Sequence, residues 1–334
     1  MQVFSATLNQ MLVLFIFMAL GFMLNKKGLL PQDSSTALSK LETYLLVPCL
    51  VFSVFYKYCT VENFKQKSVY ILYGTAIMAV SLVIGIFLAK LFEKDGYLRK
   101  IYTYSFAVAN FSFMGNAVVL GVFGEEILFD YMIFTLPLNL YVYSIGTASL
   151  IPSDKGSKVS LKTFVNPIFI SLILGAVCGL CSVQLPEFIT SAISSAGACM
   201  SPLAMLLTGF VIGGYSLKKL ASDKKVYLAS VIRLIILPSL FMLVLLAMKT
   251  DNAIIRAALC ATAMPLVLNT VVFPAAYGGD TTPGASMALI SHLISIITIP
   301  ECLRFSYKNF SIHLPTDEIY ICSIRITKII FLKQ

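Results

Sequence analysis

Two stretches, Ala109-Asn110-Phe111-Ser112-Phe113-Met114-Gly115-Asn116 and Ala263-Met264-Pro265-Leu266-Val267-Leu268-Asn269-Thr270, decide how this chain is read. Each lies inside an apolar run long enough to cross a bilayer, at 101–123 and at 253–276. Amide and hydroxyl groups at mid-membrane are costly unless they find partners. Pro265 lacks an N–H and clashes with the turn before it, so the second run breaks as a helix. Broken helices expose free carbonyls and half-helix ends near the midplane, where ions and anions bind. One such helix alone would be a kinked packing element whose Asn side chains bond to neighbouring helices. Two at matching places point to a binding site.

Outward from these stretches, apolar runs recur along the whole chain. They predict ten spans at 7–24, 37–56, 68–89, 101–123, 128–151, 164–182, 188–215, 226–248, 253–276 and 283–303. Basic residues test the alternation. The odd-numbered connections hold 13: Lys26, Lys27, Lys90, Lys94, Arg99, Lys100, Lys155, Lys158, Lys162, Lys218, Lys219, Lys224 and Lys225. The even-numbered ones hold 4: Lys57, Lys65, Lys67 and Lys249. By the positive-inside rule the odd connections face the cytoplasm and both termini lie outside. No basic residue precedes the first apolar run and Lys26-Lys27 follow it, the reverse of a signal peptide. The polar stretch 152–163 divides the spans into a first five-helix repeat (1–151) and a second (164–303). With five spans each, the halves insert in opposite orientation, the plan of many secondary transporters. Residues 304–334 mix charge with β-like alternation and are expected to form an extracytoplasmic tail.

Composition excludes the other classes. Of 334 residues, 58% are hydrophobic and 12% charged, with mean hydropathy +0.87. A soluble enzyme, a nucleic-acid-binding domain or a disordered chain needs more polar surface. The net charge of +9 follows from basic cytoplasmic loops and calls for no nucleic acid. The eight Cys lie mostly in apolar runs, where a thiol acts as a small hydrophobe. No zinc-protease, Walker or acidic metal motif occurs, so no catalytic residue, metal or cofactor is expected.

The candidate substrate-binding residues are Asn110, Asn116, Asn139, Asn269, Thr270 and His292, with Gly115 and Pro265 as helix breakers. Neutral donors can hydrogen-bond a carboxylate without fixing a full charge in the membrane. His292 reads equally as a helix-packing contact. Arg233, a few residues into the eighth span, is either a counter-charge for an anion or a side chain snorkelling to the headgroups. Arg256, Lys40 and Glu42 stand near span ends and read as interfacial. Gly209/Gly213 and Gly175/Gly179 are small-xxx-small pairs that permit close helix packing.

On these residues the chain resembles the auxin efflux carrier family, in its prokaryotic branch of malate/malonate permeases. The resemblance covers about residues 5–303. It is most specific at Ala263-Met264-Pro265 through Asn269, Ala276-Tyr277-Gly278-Gly279-Asp280 and Ser286 to Pro300, with Asn110, Met114-Gly115, Arg233 and Pro238 in support. Where that family carries a proline after the glycine, this chain reads Gly115-Asn116-Ala117, so a break there would rest on Asn and Gly. The resemblance implies an all-α fold of ten helices in inverted repeats, with crossing broken helices 4 and 9. It also implies a scaffold of spans 1, 2, 6 and 7 that dimerises through spans 2 and 7, and elevator-type transport of organic anions across the plasma membrane. The coupling ion, H+ or Na+, is left open. A sodium-coupled symporter of the bile-acid type and a transporter-like sensor are the alternatives. The first would need carboxylates or a polar cluster at the crossover.

Overall fold

The computed structural model describes residues 2–150, 166–276 and 280–310. In chain order its helices are α1 (Gln2–Lys26), α2 (Ser34–Tyr58), α3 (Val61–Phe92), α4 (Gly96–Ala107), α5 (Asn116–Tyr141), α6 (Pro167–Leu180), α7 (Glu187–Gly213), α8 (Lys224–Ala247), α9 (Asn252–Thr262), α10 (Asn269–Ala276) and α11 (Thr282–Phe310). Six of them (α1, α2, α3, α7, α8 and α11) are long and apolar enough to cross a bilayer. The chain is a multi-pass, all-helical membrane protein. Side-chain caps set several starts: Thr60, Asp95, Asn166, Asp223 and Asp251 accept hydrogen bonds from N–H groups of the following first turn.

Two spans widen where a proline follows. Pro48 in α2 and Pro238 in α8 would press their rings on the carbonyls of Tyr44 and Leu234, four residues back. The helices respond with π turns at Glu42–Leu46 and Ile232–Ile236. There the N–H groups of Val47 and Leu237 bond five residues back, to Glu42 and Ile232.

Several expected boundaries shift. The fourth span begins at Gly96, and its second half runs into the fifth as α5, which turns at Gly124. The positive φ of Gly124 (82°) suits a residue without a β-carbon. The tenth span continues to Phe310, so 304–310 belong to a helix rather than to a tail. The expected linker 152–163 and residues 311–334 lie outside the described residues.

Packing uses the small residues. A β-carbon on Gly209 would overlap the Met18 carbonyl, and one on Gly21 the Leu206 carbonyl, so α1 and α7 meet backbone to backbone. Gly175 and Gly179 bring α6 close to the Phe52 and Phe55 carbonyls of α2, less tightly than α1 meets α7. Elsewhere α3 packs on α4 and α5, and α8 packs on α9 and α11.

Contacts at the span ends obey a parity. Lys26 Nζ donates to the Tyr215 carbonyl (2.9 Å), Tyr97 Oη to the Leu150 carbonyl (3.0 Å) and Tyr215 Oη to Thr281 (2.8 Å), all joining odd-numbered connections. Lys225 pairs with Glu93 at 3.0 Å, again odd with odd. Lys57–Glu125 and Lys67–Asp130, each 2.8 Å, join even-numbered connections.

The exposed Lys225–Glu93 pair carries a pH signature. The hydrogen bond from Lys225, helped by the Lys94 backbone N–H, holds the Glu93 carboxyl below its ordinary range. Such a group contributes stability above its unfolded value and loses it as pH falls through the lowered one. Thermal denaturation across the acid range is expected to show a weaker pH dependence in Lys225→Met than in the parent. Equal curves would mean the pair is absent in the membrane.

Candidate functional site

The two decisive stretches meet. α4 ends at Ala107 and α9 at Thr262. The extended residues between the half-helices then form an antiparallel bridge, Ala109 to Leu266. The Asn110 N–H donates to the Pro265 carbonyl at 2.8 Å. On the other side the Leu266 N–H donates to Ser291 Oγ of α11 at 3.0 Å. Pro265 therefore sits in the interruption it was expected to cause. Gly115 does not: its backbone is helical (φ −62°, ψ −48°), and the break falls on 108–110. Gly115 is instead a close-approach position, since a β-carbon there would overlap the Tyr131 hydroxyl, which donates to the Phe111 carbonyl at 2.8 Å.

Asn110 is wholly engaged in this junction. Its Oδ1 accepts from the Met114 N–H (3.4 Å) and restarts the helix, and its Nδ2 reaches His292 Nε2 (3.3 Å). His292, fully buried on α11, places Nδ1 2.7 Å from the Ala288 carbonyl. With Nδ1 donating and Nε2 accepting, a neutral imidazole satisfies both contacts. Asn269 turns elsewhere and donates to Tyr104 Oη at 2.9 Å. Thr270 bonds to the Val267 carbonyl at 2.9 Å, and its own carbonyl packs against Gly284. Asn110 and Asn269 thus have separate partners.

Asn116 and Asn139 do come together. With Ser112 and Thr135 they line a cavity of about 20 Å³ between α2, α5 and α6, walled by Val47, Val51 and Ile168. That volume holds about one water. Asn139 donates to the Thr135 carbonyl (3.2 Å), whereas the side chain of Asn116 makes no hydrogen bond among the described residues.

The charges depart furthest from expectation. Arg233, in the π turn of α8, is 2% exposed, which excludes snorkelling. Its Nε and Nη1 have no hydrogen-bond partner among the described residues. It lies near enough to Tyr131, the residue over Gly115, to interact electrostatically. Glu42 and Arg256 are buried too, rather than interfacial. Tyr104 and Tyr131 were missed as site residues; nothing in their apolar surroundings distinguishes them from core aromatics.

The family model described as membrane transport protein matches residues 6–157 and 153–302, two successive segments that meet at the polar stretch dividing the spans. The chain belongs to this family. An uncharacterized transporter of Methanothermobacter thermautotrophicus is 22% identical over 306 residues, covering 90% of this chain and 98% of that one. The uncharacterized transporter YfdV of Escherichia coli is 16% identical over 310 residues, covering 88% and 95%. An uncharacterized transporter of Schizosaccharomyces pombe is 31% identical over 112 residues, a third of this chain (33%) and a quarter of its own (25%). The family is one of membrane transporters.

Proposed function

We propose that this member of the membrane transport protein family is a secondary transporter of small organic anions, carboxylates foremost, working by elevator-type alternating access. The observation that carries the reading is Arg233: a buried guanidinium with two donors unfilled among the described residues, in electrostatic range of Tyr131, whose hydroxyl bonds the Phe111 carbonyl at the crossover. A charged side chain at the bilayer centre costs about 2.5–3.5 kcal/mol on insertion scales. An anion supplied from water offsets that cost and fills the donors. The restarting helices at Phe111 and Asn269 add partial positive charge. Asn116 and Asn139 supply neutral donors along the seam between α2 and α5.

In this reading the ten spans form inverted repeats, with the odd connections cytoplasmic and both termini outside, in the plasma membrane. Helices α1, α2, α6 and α7 are the scaffold, paired with a second copy through α2 and α7. The remaining helices move and carry the crossover with them. Purified protein in proteoliposomes should exchange labelled malate against internal malate, with other small carboxylates competing. Failure of every mono- and dicarboxylate to exchange or compete would retire the anion reading. A cysteine at Ser222 should resist an impermeant thiol reagent added to intact cells, while one at Glu62 should react. The opposite pattern would invert the topology.

A further inference from the structure

Glu42 is the most deeply buried acid among the described residues, at 0% exposure, and neither carboxyl oxygen has a hydrogen-bond partner there. It stands at the start of the α2 π turn, against which α6 and both halves of α7 pack. The titratable groups of these elements leave it isolated. On α2, Lys40 and Tyr44 point to the exterior and Cys49 lies two turns on; α6 contributes Cys178; α7 contributes Glu187 and Cys199. Tyr143, in the turn after α5, is the ionisable side chain that interacts with it electrostatically. No cation faces it among the described residues. A carboxylate buried without a hydrogen-bonding side chain or backbone group is far more costly than the neutral acid, so a group in this setting takes up a proton.

Its place gives the proton a use. Val47, five residues along α2, lines the Asn116–Asn139 cavity, about 7 Å further along the helix axis. Tyr143 follows Asn139 by one turn. Glu42 therefore lies on α2 near Tyr143, whose ring packs on Phe169 of the cavity wall, next to the seam that holds the cavity asparagines.

We propose that Glu42 is a proton-binding site that couples proton movement to sliding along this seam. The carboxyl carries its proton while Tyr143 and the end of α5, which belongs to the moving helices, lie beside it. When the seam opens, an O–H bond breaks and the proton passes to water on that side; on closure a proton is taken from water and the O–H bond re-forms. No other bond changes. The coupling rests on the transporter reading; the bound proton does not.

The test therefore has two arms. In the first, infrared spectra of the purified full chain at neutral pH are compared between the parent and Glu42→Gln, with no substrate present. A protonated-acid C=O band present in the parent and missing from the variant is expected. Its absence from the parent overturns the proposal without recourse to a variant, and so does its persistence in folded Glu42→Gln. Glu42→Met, of similar volume, serves if the amide misfolds. In the second arm, malate exchange is followed against pH in proteoliposomes. The parent should vary by up to about tenfold per pH unit over its responsive range, and Glu42→Gln should be flat. Equal pH profiles would overturn the coupling. Absence of malate exchange from both would count against the carboxylate reading and leave the infrared result to decide the proton site.

Discussion

Arg233→Gln is expected to lower carboxylate affinity by about tenfold to a hundredfold while leaving the empty protein as stable as before, or more so. Losing a hydrogen bond to a charged group costs about 1.5–3 kcal/mol, and each 1.4 kcal/mol is about tenfold in affinity. The stability half follows from the unfilled Nε and Nη1. Removing an unpaired buried charge relieves a desolvation penalty instead of breaking a pair. A structural Arg would behave in the opposite way, with its loss lowering stability and leaving the affinity of surviving protein unchanged. Binding isotherms with malate, alongside thermal denaturation of substrate-free protein, read both quantities. Unchanged affinity together with a lower melting temperature would remove Arg233 from the site.

Lys67→Met should destabilise the fold by about 3–5 kcal/mol, the usual cost of stripping one partner from a buried pair. Asp130 is 5% exposed and depends on Lys67 at 2.8 Å, with Tyr70 Oη further away at 3.5 Å. Without Lys67 the buried carboxylate keeps only the long contact from Tyr70 Oη. The double variant Lys67→Met/Asp130→Asn should recover most of the loss, because no bare charge remains. A double-mutant cycle in chemical denaturant measures this directly. Single and double variants losing the same amount would mean that the pair is screened by water. The exposed Lys57–Glu125 pair, of the same length, provides the contrast: exposed pairs are worth about 0–1 kcal/mol.

What was legible in the sequence follows a physical division. Position along the membrane normal is written in hydropathy, so the helical membrane class, the long apolar spans and the interruption at Pro265 could be read directly. The face of a helix is not so written. Residue counting puts Arg256 and Glu42 near span ends and Arg233 a few residues into the eighth span, yet all three turn inward. For Glu42 and Arg233 the turn follows π geometry that Pro48 and Pro238 impose two residues later. Asn110 shows a second gap. Its amide type signalled a polar function at mid-membrane, but whether it caps a helix or binds a ligand depends on which N–H comes within reach after the chain breaks. Gly115 shows a third. Glycine marks both breaks and close approaches, and only the overlapping position of the Tyr131 hydroxyl separates the two.

The buried guanidinium of Arg233, with Nε and Nη1 unfilled among the described residues, also bears on how such a carrier would respond to voltage. A charge crossing the membrane field exchanges about 2.3 kcal/mol per 100 mV. If Arg233 travels with the moving helices, a singly charged anion bound to it makes the loaded step electrically silent. The empty return, carrying the arginine's own charge, then bears the whole voltage dependence. A doubly charged anion instead leaves one net negative charge on the loaded step and one positive charge on the return, so the field acts on both. Pre-steady-state currents recorded with monoanions and dianions would distinguish the two cases, and one buried side chain would set which half of the cycle the membrane potential drives.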